Sequence, residues 1–159
     1  MIEMDKTFTE SKHPFGVCGE FAFQAHMYIN YQFKLDTLNN TNKYCVVDFR
    51  IPTTNIYLEL KTRTCKSTAF ATTLFDKSKV DRWCTQKQFK NVVIYTAFAF
   101  EDGIHYFIRY TKSKFNNIKT TFNPEWNQTN YNIPLSKCID TDKFISQINK
   151  LKSNCLHAN

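Results

Sequence analysis

The chain alternates between segments in which apolar residues have helical spacing and segments in which they have strand-like spacing. Helical spacing predicts a first helix over 16–31, in which Phe21, Ala25 and Tyr28 share one face. The polar run Asn-Asn-Thr-Asn at 39–42 follows and predicts a turn. The first quarter of the chain is therefore expected to hold one long helix and a turn that leads into strands.

Two strands joined by a short turn are predicted next. The largely apolar run at 44–51 predicts a strand, and Pro-Thr-Thr-Asn at 52–55 predicts the turn after it. Apolar and polar residues alternate over 56–64, which predicts a second strand. Because the alternation has a period of two, Glu59 and Lys61 are expected to face the same side of this strand.

The second half of the chain repeats these periodicities. They predict a helix that starts at Asp76 or Ser78 and ends near Lys90, a strand over 91–98, a strand over 104–110, and a helix after Asp140 or Thr141. The segment 112–134 is polar and irregular, and the pattern assigns no element to it. The order helix, strand, strand, helix, strand, strand, helix is typical of an α/β or α+β domain in which helices flank a mixed sheet.

The composition fits a single domain over residues 1–159. Fifteen Phe and eight Tyr can supply much of its core. The N-terminus lacks the long apolar core of a signal peptide, and no run approaches the ~20 apolar residues needed to cross a bilayer. The six cysteines form no CxxC pair and no zinc-finger spacing. An intracellular location, in the cytoplasm or nucleus, is therefore expected, with no membrane partner.

The charge balance favours an anionic partner. The chain has 21 basic and 14 acidic residues, for a net charge of +7. Lys and Arg bind nucleic acid by neutralising phosphates and releasing counterions, so nucleic acid is the expected partner. Ordinary solubility is the alternative explanation of this charge.

The chemistry that the sequence encodes lies within fourteen positions, from Asp48 to Lys61. A hairpin can bring Asp48 close to Glu59, and two carboxylates on adjacent strands form a hard oxygen site for Mg²⁺ or Mn²⁺. A lysine on the same face can orient an attacking water or stabilise charge on a phosphate. Asp48 also interrupts an apolar run, where an unpaired carboxylate is costly. The alternative is that Lys61 pairs with either carboxylate in a structural salt bridge.

Asp48, ten intervening residues and then Glu59-Leu60-Lys61 resemble the PD-(D/E)XK motif of the restriction-endonuclease-like nucleases. The helix–strand–strand–helix–strand order of that family also matches the elements predicted here. The resemblance implies a three-layer α/β/α core with a central mixed sheet, over about 12–110, followed by a C-terminal extension over 111–159. Val47 stands where the motif has Pro, a departure that the family tolerates. The Gln-x-x-x-Tyr pattern of RecB-like exonucleases is absent, because Lys90 lies four residues after Gln86.

The resemblance also implies roles for individual residues. Asp48 and Glu59 would bind Mg²⁺ or Mn²⁺ together with the backbone carbonyl of Leu60, and Lys61 would position the nucleophile. Glu20 would be a further metal ligand and a catalytic residue, because the spacing of Lys12, Gly16 and Glu20 is similar to the first-helix pattern of Holliday-junction resolvases. A solvated helix glutamate is an equally good interpretation of Glu20.

Three lysines are candidates for binding nucleic acid. Lys12 belongs to the first-helix pattern, and Lys77 and Lys79 begin the helix after Asp76. Lys79 matches the place of an auxiliary phosphate-binding residue in some family members, although an ordinary surface lysine is the favoured interpretation.

Other chemistry-bearing residues are assigned structural roles. His26 is expected to be structural rather than a metal ligand, and His105 is expected to be packed among aromatic residues. The stretch with Lys112, Lys114, Phe115 and Lys119 could hold a nucleic-acid backbone, but a solvated loop is favoured.

These observations predict a metal-dependent endonuclease that hydrolyses phosphodiester bonds, with DNA as the expected substrate. Three alternatives stay open: a catalytically silent nucleic-acid-binding module, an endonuclease that acts on RNA, and a protein-interaction scaffold that uses exposed aromatic residues. A homodimer is compatible with the sequence. The many Asn, Lys, Thr and Ile residues, which an AT-rich genome favours, would suit a virus or mobile element.

Overall fold

A mixed β-sheet forms the centre of the molecule. The structure is a computed structural model that describes residues 8–38 and 47–157, and the side chains of 19–38 and 47–154. In the described part this sheet has five strands, numbered along the chain, in the spatial order β1 (Asp36–Thr37), β2 (Phe49–Arg50), β3 (Ile56–Thr62), β5 (Val93–Ala99) and β6 (His105–Arg109). Strands β3 and β5 are parallel, and the other neighbours are antiparallel. A parallel pair needs a crossover connection, which here passes over one face of the sheet.

A second, three-stranded sheet lies beside that crossover. Its spatial order is β4 (Thr72–Asp76), β8 (Gln128–Pro134) and β7 (Thr120–Asn123), and all of its pairs are antiparallel. Strand β4 runs directly into helix α2 (Lys77–Thr85), and the short helix α3 (Lys112–Asn116) precedes β7. Two single turns of 3₁₀ helix, Lys87–Phe89 and Leu135–Lys137, follow α2 and β8.

Both faces of the central sheet are covered. Helices α1 (Phe8–Tyr31) and α4 (Thr141–His157) bury Phe23 and Phe144 against one face, which includes Leu58 and Leu60. Helix α2 and the second sheet pack on the other face, where Val80, Trp83, Phe75 and Ile133 form a second apolar cluster with Phe98. The molecule is therefore a mixed α/β structure in which apolar burial on both sides holds the sheet.

Most elements agree with the sequence analysis. The long first helix, the alternating strand β3, the apolar strand β5, the strand β6 and the last helix all form. Asp76 caps α2, with its Oδ1 accepting from the Ser78 amide at 2.9 Å. Within the described residues, no helix has the length and apolar character that a membrane span requires.

Some boundaries differ from the prediction. Helix α2 ends at Thr85 rather than near Lys90, because Gln86 is extended and a 3₁₀ turn follows it. Strand β2 covers Phe49–Arg50 only, while residues 44–46 of the predicted strand and the turn at 39–42 lie outside the described residues. The polar segment 112–134, to which the sequence pattern assigns no element, contains the whole of α3, β7 and β8.

Candidate active site

Strand β3 carries two kinds of side chain to its two faces. Leu58 and Leu60 point into the core beneath α1 and α4. The alternation turns Glu59 and Lys61 toward the opposite face, where α2 and β4 lie. Glu59 is only 1% exposed, so a carboxylate sits in the middle of a strand at core-like burial.

Two lysines converge on one oxygen of Glu59. Lys61 Nζ lies 3.0 Å from Glu59 Oε1. Lys79 Nζ, from the first turns of α2, donates a hydrogen bond to the same oxygen. The other oxygen, Oε2, is buried and has no hydrogen-bond partner among the described residues. Oε1 thus interacts with two ammonium groups, whereas Oε2 is a buried acceptor without a hydrogen bond from the described residues.

Burial and charge act in opposite directions on these groups. Burial raises the pKa of Glu59 above its ordinary value, Lys61 lowers it, and the Asp48 charge raises it again. Burial lowers the pKa of Lys79, but attraction to Glu59 outweighs this and the net shift is upward. Lys79 therefore remains a cation at neutral pH and is not available as a base.

Asp48 approaches the same strand from the adjacent edge. It lies in a bend directly before β2, where its amide donates to the Leu58 carbonyl at 3.1 Å. Its Oδ2 accepts from the Leu60 amide at 2.8 Å. The N–H and C=O of a strand residue point toward the same neighbour, so the Leu60 carbonyl faces the Asp48 side as well. The hairpin thus brings the Asp48 carboxylate beside Glu59-Leu60, as the spacing predicted.

The two lysine ammonium groups connect this buried site to solvent. The side chains of Lys61 and Lys79 are 27% and 25% exposed. The Lys61 ammonium also lies 5.9 Å from the centre of the Phe75 ring on β4. Because Glu59 itself is enclosed, an anion from solvent would meet these cations first.

Helix α1 passes close to the far end of β3. A Cβ on Gly19 would lie 2.7 Å from Thr62 Cγ2, so the absence of a side chain permits this contact. The next residue is Glu20, the predicted third carboxylate. Among the described residues, no group of three or more His, Cys, Asp and Glu side chains could hold a metal ion. Glu20, Asp48 and Glu59 are thus not gathered into such a cluster, and a metal-binding or catalytic role for Glu20 stays a prediction.

The other candidate lysines have different surroundings. Lys77 pairs with Asp81 on the surface of α2, at 2.9 Å. Lys114 donates to the Arg109 carbonyl at 3.3 Å, and Phe115 is buried in the core. Residues Lys112–Asn116 form α3, so the favoured interpretation of this part as a solvated loop is wrong. The side chain of Lys12 lies outside the described residues.

The two histidines expected to be structural lie against each other. The rings of His26 and His105 meet edge to face with centres 4.7 Å apart, and His105 also meets the edge of Phe23. This packing agrees with the structural roles that the sequence suggested.

The favoured interpretation of Lys79 as an ordinary surface lysine is wrong, because its ammonium group is hydrogen-bonded to the buried Glu59 carboxylate. Its contact with Glu59 spans twenty positions along the chain. The helical phase carried a usable signal, because Lys79 adjoins the inward-facing Val80, but a single lysine beside a core residue is too common to stand out.

No protein-family model matches this chain, and no curated protein sequence matches it.

Proposed function

We propose that this protein is a metal-dependent nuclease that hydrolyses phosphodiester bonds in nucleic acid, with DNA as the first candidate substrate. The observation that carries the proposal is the state of Glu59. This carboxylate is enclosed and holds two lysines on one oxygen. Its other oxygen has no hydrogen-bond partner within residues 19–38 and 47–154, and it lies beside Asp48. A buried carboxylate is costly unless it is fully paired, so an incompletely satisfied one suggests a chemical role.

The residues present fit a hard divalent cation. Glu59 Oε2 is an acceptor without a hydrogen bond from any described residue, and the Asp48 carboxylate and the Leu60 carbonyl are the neighbouring oxygens that would join it. When bound, Mg²⁺ or Mn²⁺ would acidify a water and withdraw charge from the scissile phosphate.

The lysines would supply the remaining groups. Lys61, partly exposed beside Glu59, would position the attacking water or stabilise negative charge on the phosphate. Lys79, which remains protonated, would hold a phosphate oxygen electrostatically. In the reaction, water adds to phosphorus and one P–O ester bond breaks, which leaves one end with a phosphate and the other with a hydroxyl.

The test is a cleavage assay of the purified protein with Mg²⁺ or Mn²⁺ and without either metal. The substrates are labelled single-stranded, duplex, flapped and branched DNA, and single-stranded RNA. We expect cleavage that is lost in Lys61→Ala and in Asp48→Asn and is kept in Lys150→Ala, which removes an exposed lysine of α4. Activity equal to wild type in Lys61→Ala would overturn the proposal, provided that circular dichroism shows the variants to be folded.

A catalytically silent nucleic-acid-binding module is the second candidate, because the two lysines already neutralise one oxygen of Glu59. Binding without cleavage of any substrate, and no Mn²⁺-dependent rise in melting temperature, would favour it. Cleavage of RNA alone would keep the mechanism and change the substrate.

A further inference from the structure

A cleft separates the first turn of α2 from the β7–β8 hairpin. It has a volume of about 550 Å³, within the range of ligand-binding clefts. Lys77 and Ser78 line it on the helix side, and Trp126 and Gln128 line it on the hairpin side. The candidate active site lies on the other side of the same helix turn, because Lys79 points to Glu59 while Lys77 faces the cleft.

Trp126 gives this cleft an aromatic wall. Its side chain is 54% exposed at the tip of the hairpin, whereas Trp83 is 4% exposed in the core. The backbone at the tip is fixed, because Asn123 Oδ1 accepts from the amides of Glu125 and Trp126 at 3.0 and 3.4 Å. Phe122, on the same hairpin, is 59% exposed. What distinguishes Trp126 from other exposed apolar residues is its place in a cleft lined by polar side chains, where an indole can stack on a flat ligand.

The polar lining of the cleft favours a nucleobase over a phosphate. Lys77, the cation in the lining, is already paired with Asp81, which lines the cleft together with Asp76. Their negative charge opposes a phosphate. Carboxylate and amide groups, such as those of Asp76 and Gln128, are the partners that base edges use. An indole supplies the flat face on which a base stacks.

We propose that this cleft binds an unpaired nucleobase of the nucleic-acid substrate, stacked on Trp126, while the adjoining backbone reaches Lys61 and Lys79. This inference rests on the proposed nuclease function. The base must be unpaired because it can stack on the indole only if one of its own faces is uncovered. Inside a duplex, both faces of a base are already covered by the neighbouring bases. The preferred substrate would then be a single strand, a flap or a frayed end.

Binding to single strands tests the proposal directly, in buffer with EDTA so that no substrate is cut. The probes are a labelled thymidine decamer, an abasic strand of the same length and a fully paired duplex. We expect the decamer to quench the intrinsic fluorescence of the protein, and the abasic strand to quench it much less. Trp126→Ala should weaken decamer binding about tenfold or more, while its effect on duplex binding stays within about twofold.

Trp126→Phe serves as the matched variant, because phenylalanine keeps a stacking face but removes the fluorescent reporter. It should retain most of the affinity and lose the quenching. Equal quenching by the decamer and the abasic strand, or equal decamer affinity of Trp126→Ala and wild type, would overturn the base-binding site. An equally large loss of duplex binding in Trp126→Ala would overturn the requirement for an unpaired base.

The two proposals fail separately. Cleavage that depends on Lys61, combined with unchanged decamer binding in Trp126→Ala, would remove the base site and leave the nuclease. Decamer-specific quenching without cleavage of any substrate would remove the nuclease and leave a single-strand-binding site.

Discussion

The properties of Glu59 are difficult to explain by stability alone. A buried ion pair often stabilises a protein no more than apolar side chains of the same volume would, because the cost of desolvating the charges offsets their attraction. In the part of the chain that the structure describes, Oε2 has no hydrogen bond that would reduce this cost. Asp48 adds a like charge nearby, which raises the pKa of Glu59 further. A functional role for the Glu59 carboxylate, such as binding a metal ion, would explain why the fold retains this free-energy cost.

Loss of Lys79 should destabilise the fold through Glu59. The Lys79→Met substitution leaves a buried carboxylate with Lys61 as its remaining lysine partner among the described residues, and we expect the free energy of unfolding to fall by about 2–4 kcal/mol. Glu59→Gln in the same background should recover much of this loss, because it removes the buried charge. Urea unfolding monitored by fluorescence measures both effects.

The matched control for this substitution is Lys77→Met, two positions earlier on α2. It breaks the largely exposed pair with Asp81 and should change stability by less than about 1 kcal/mol. If Lys79→Met lowered the free energy of unfolding no more than Lys77→Met does, the Glu59–Lys79 contact would not contribute measurably to stability.

His105 should make the protein sensitive to mild acid. Burial lowers its pKa to about 4, and the neighbouring His26 adds to the shift. The unfolded chain therefore binds a proton at this position between pH 6.5 and 4 while the folded chain does not, so stability is lost as the pH falls through that window. The loss should be on the order of 2 kcal/mol for this half-buried group.

Unfolding curves of wild type and His105→Gln between pH 4 and 7 test this expectation. The variant should show a flatter dependence on pH, and the two proteins should converge at the acidic end. Parallel curves across the window would show that His105 titrates normally in the folded protein.

At the scale of elements, the contact between α1 and β3 sets the position of the first helix. Gly19 lies where a side chain would meet the Thr62 methyl. Glycine is usually unfavourable inside a helix, by about 1 kcal/mol relative to alanine. Its presence is explained here by the close approach of the two elements.

Gly19→Ala should therefore destabilise the protein instead of stabilising it. The new methyl would lie 2.7 Å from Thr62 Cγ2, so the helix or the strand must shift. Thr62→Ser removes that methyl, and the double variant should be more stable than Gly19→Ala alone. Thermal unfolding of the four proteins gives the coupling energy. Additive effects of the two substitutions would contradict the close contact.

The sequence was most informative where local signals agreed. Strand β3 shows clean alternation, α2 has Asp76 as its cap, and α4 places Phe144 and Ile148 at helical spacing in the core. Strand β8 gave a weaker signal, because only Tyr131 and Ile133 alternate with polar residues. Its pairing with β4 joins segments far apart in the chain, so no local pattern reveals it.

In the candidate site, too, local contacts could be predicted from the sequence and long-range contacts could not. Asp48 and Glu59 could be placed together because one hairpin joins them, and the Asp48–Leu60 hydrogen bond confirms that approach. Lys79 reaches Glu59 only through the packing of α2 on the sheet, and the cleft at Trp126 requires the second sheet. Both depend on tertiary contacts that single-sequence periodicity does not encode.

At the scale of the whole molecule, the covered faces of the central sheet restrict where a substrate can bind. Helices α1 and α4 cover one face, and α2 with the second sheet covers the other. Under the proposed function, a nucleic acid would lie on the surface and reach the site through the exposed ends of Lys61 and Lys79. A surface complex of this kind depends on long-range charge more than on apolar burial.

The net charge of +7 then predicts a steep dependence of binding on salt. If three to six phosphates are neutralised, log K for a single strand should fall with log salt concentration at a slope of about −2 to −4, because each contact contributes about −0.7. Anisotropy titrations of a labelled oligonucleotide from 50 to 300 mM NaCl, without divalent metal, measure the slope. Lys61→Ala and Lys79→Ala should each make it shallower by about one contact, while Lys150→Ala should not. A slope near zero would instead favour the protein-interaction scaffold, because apolar contacts between proteins release no condensed counterions.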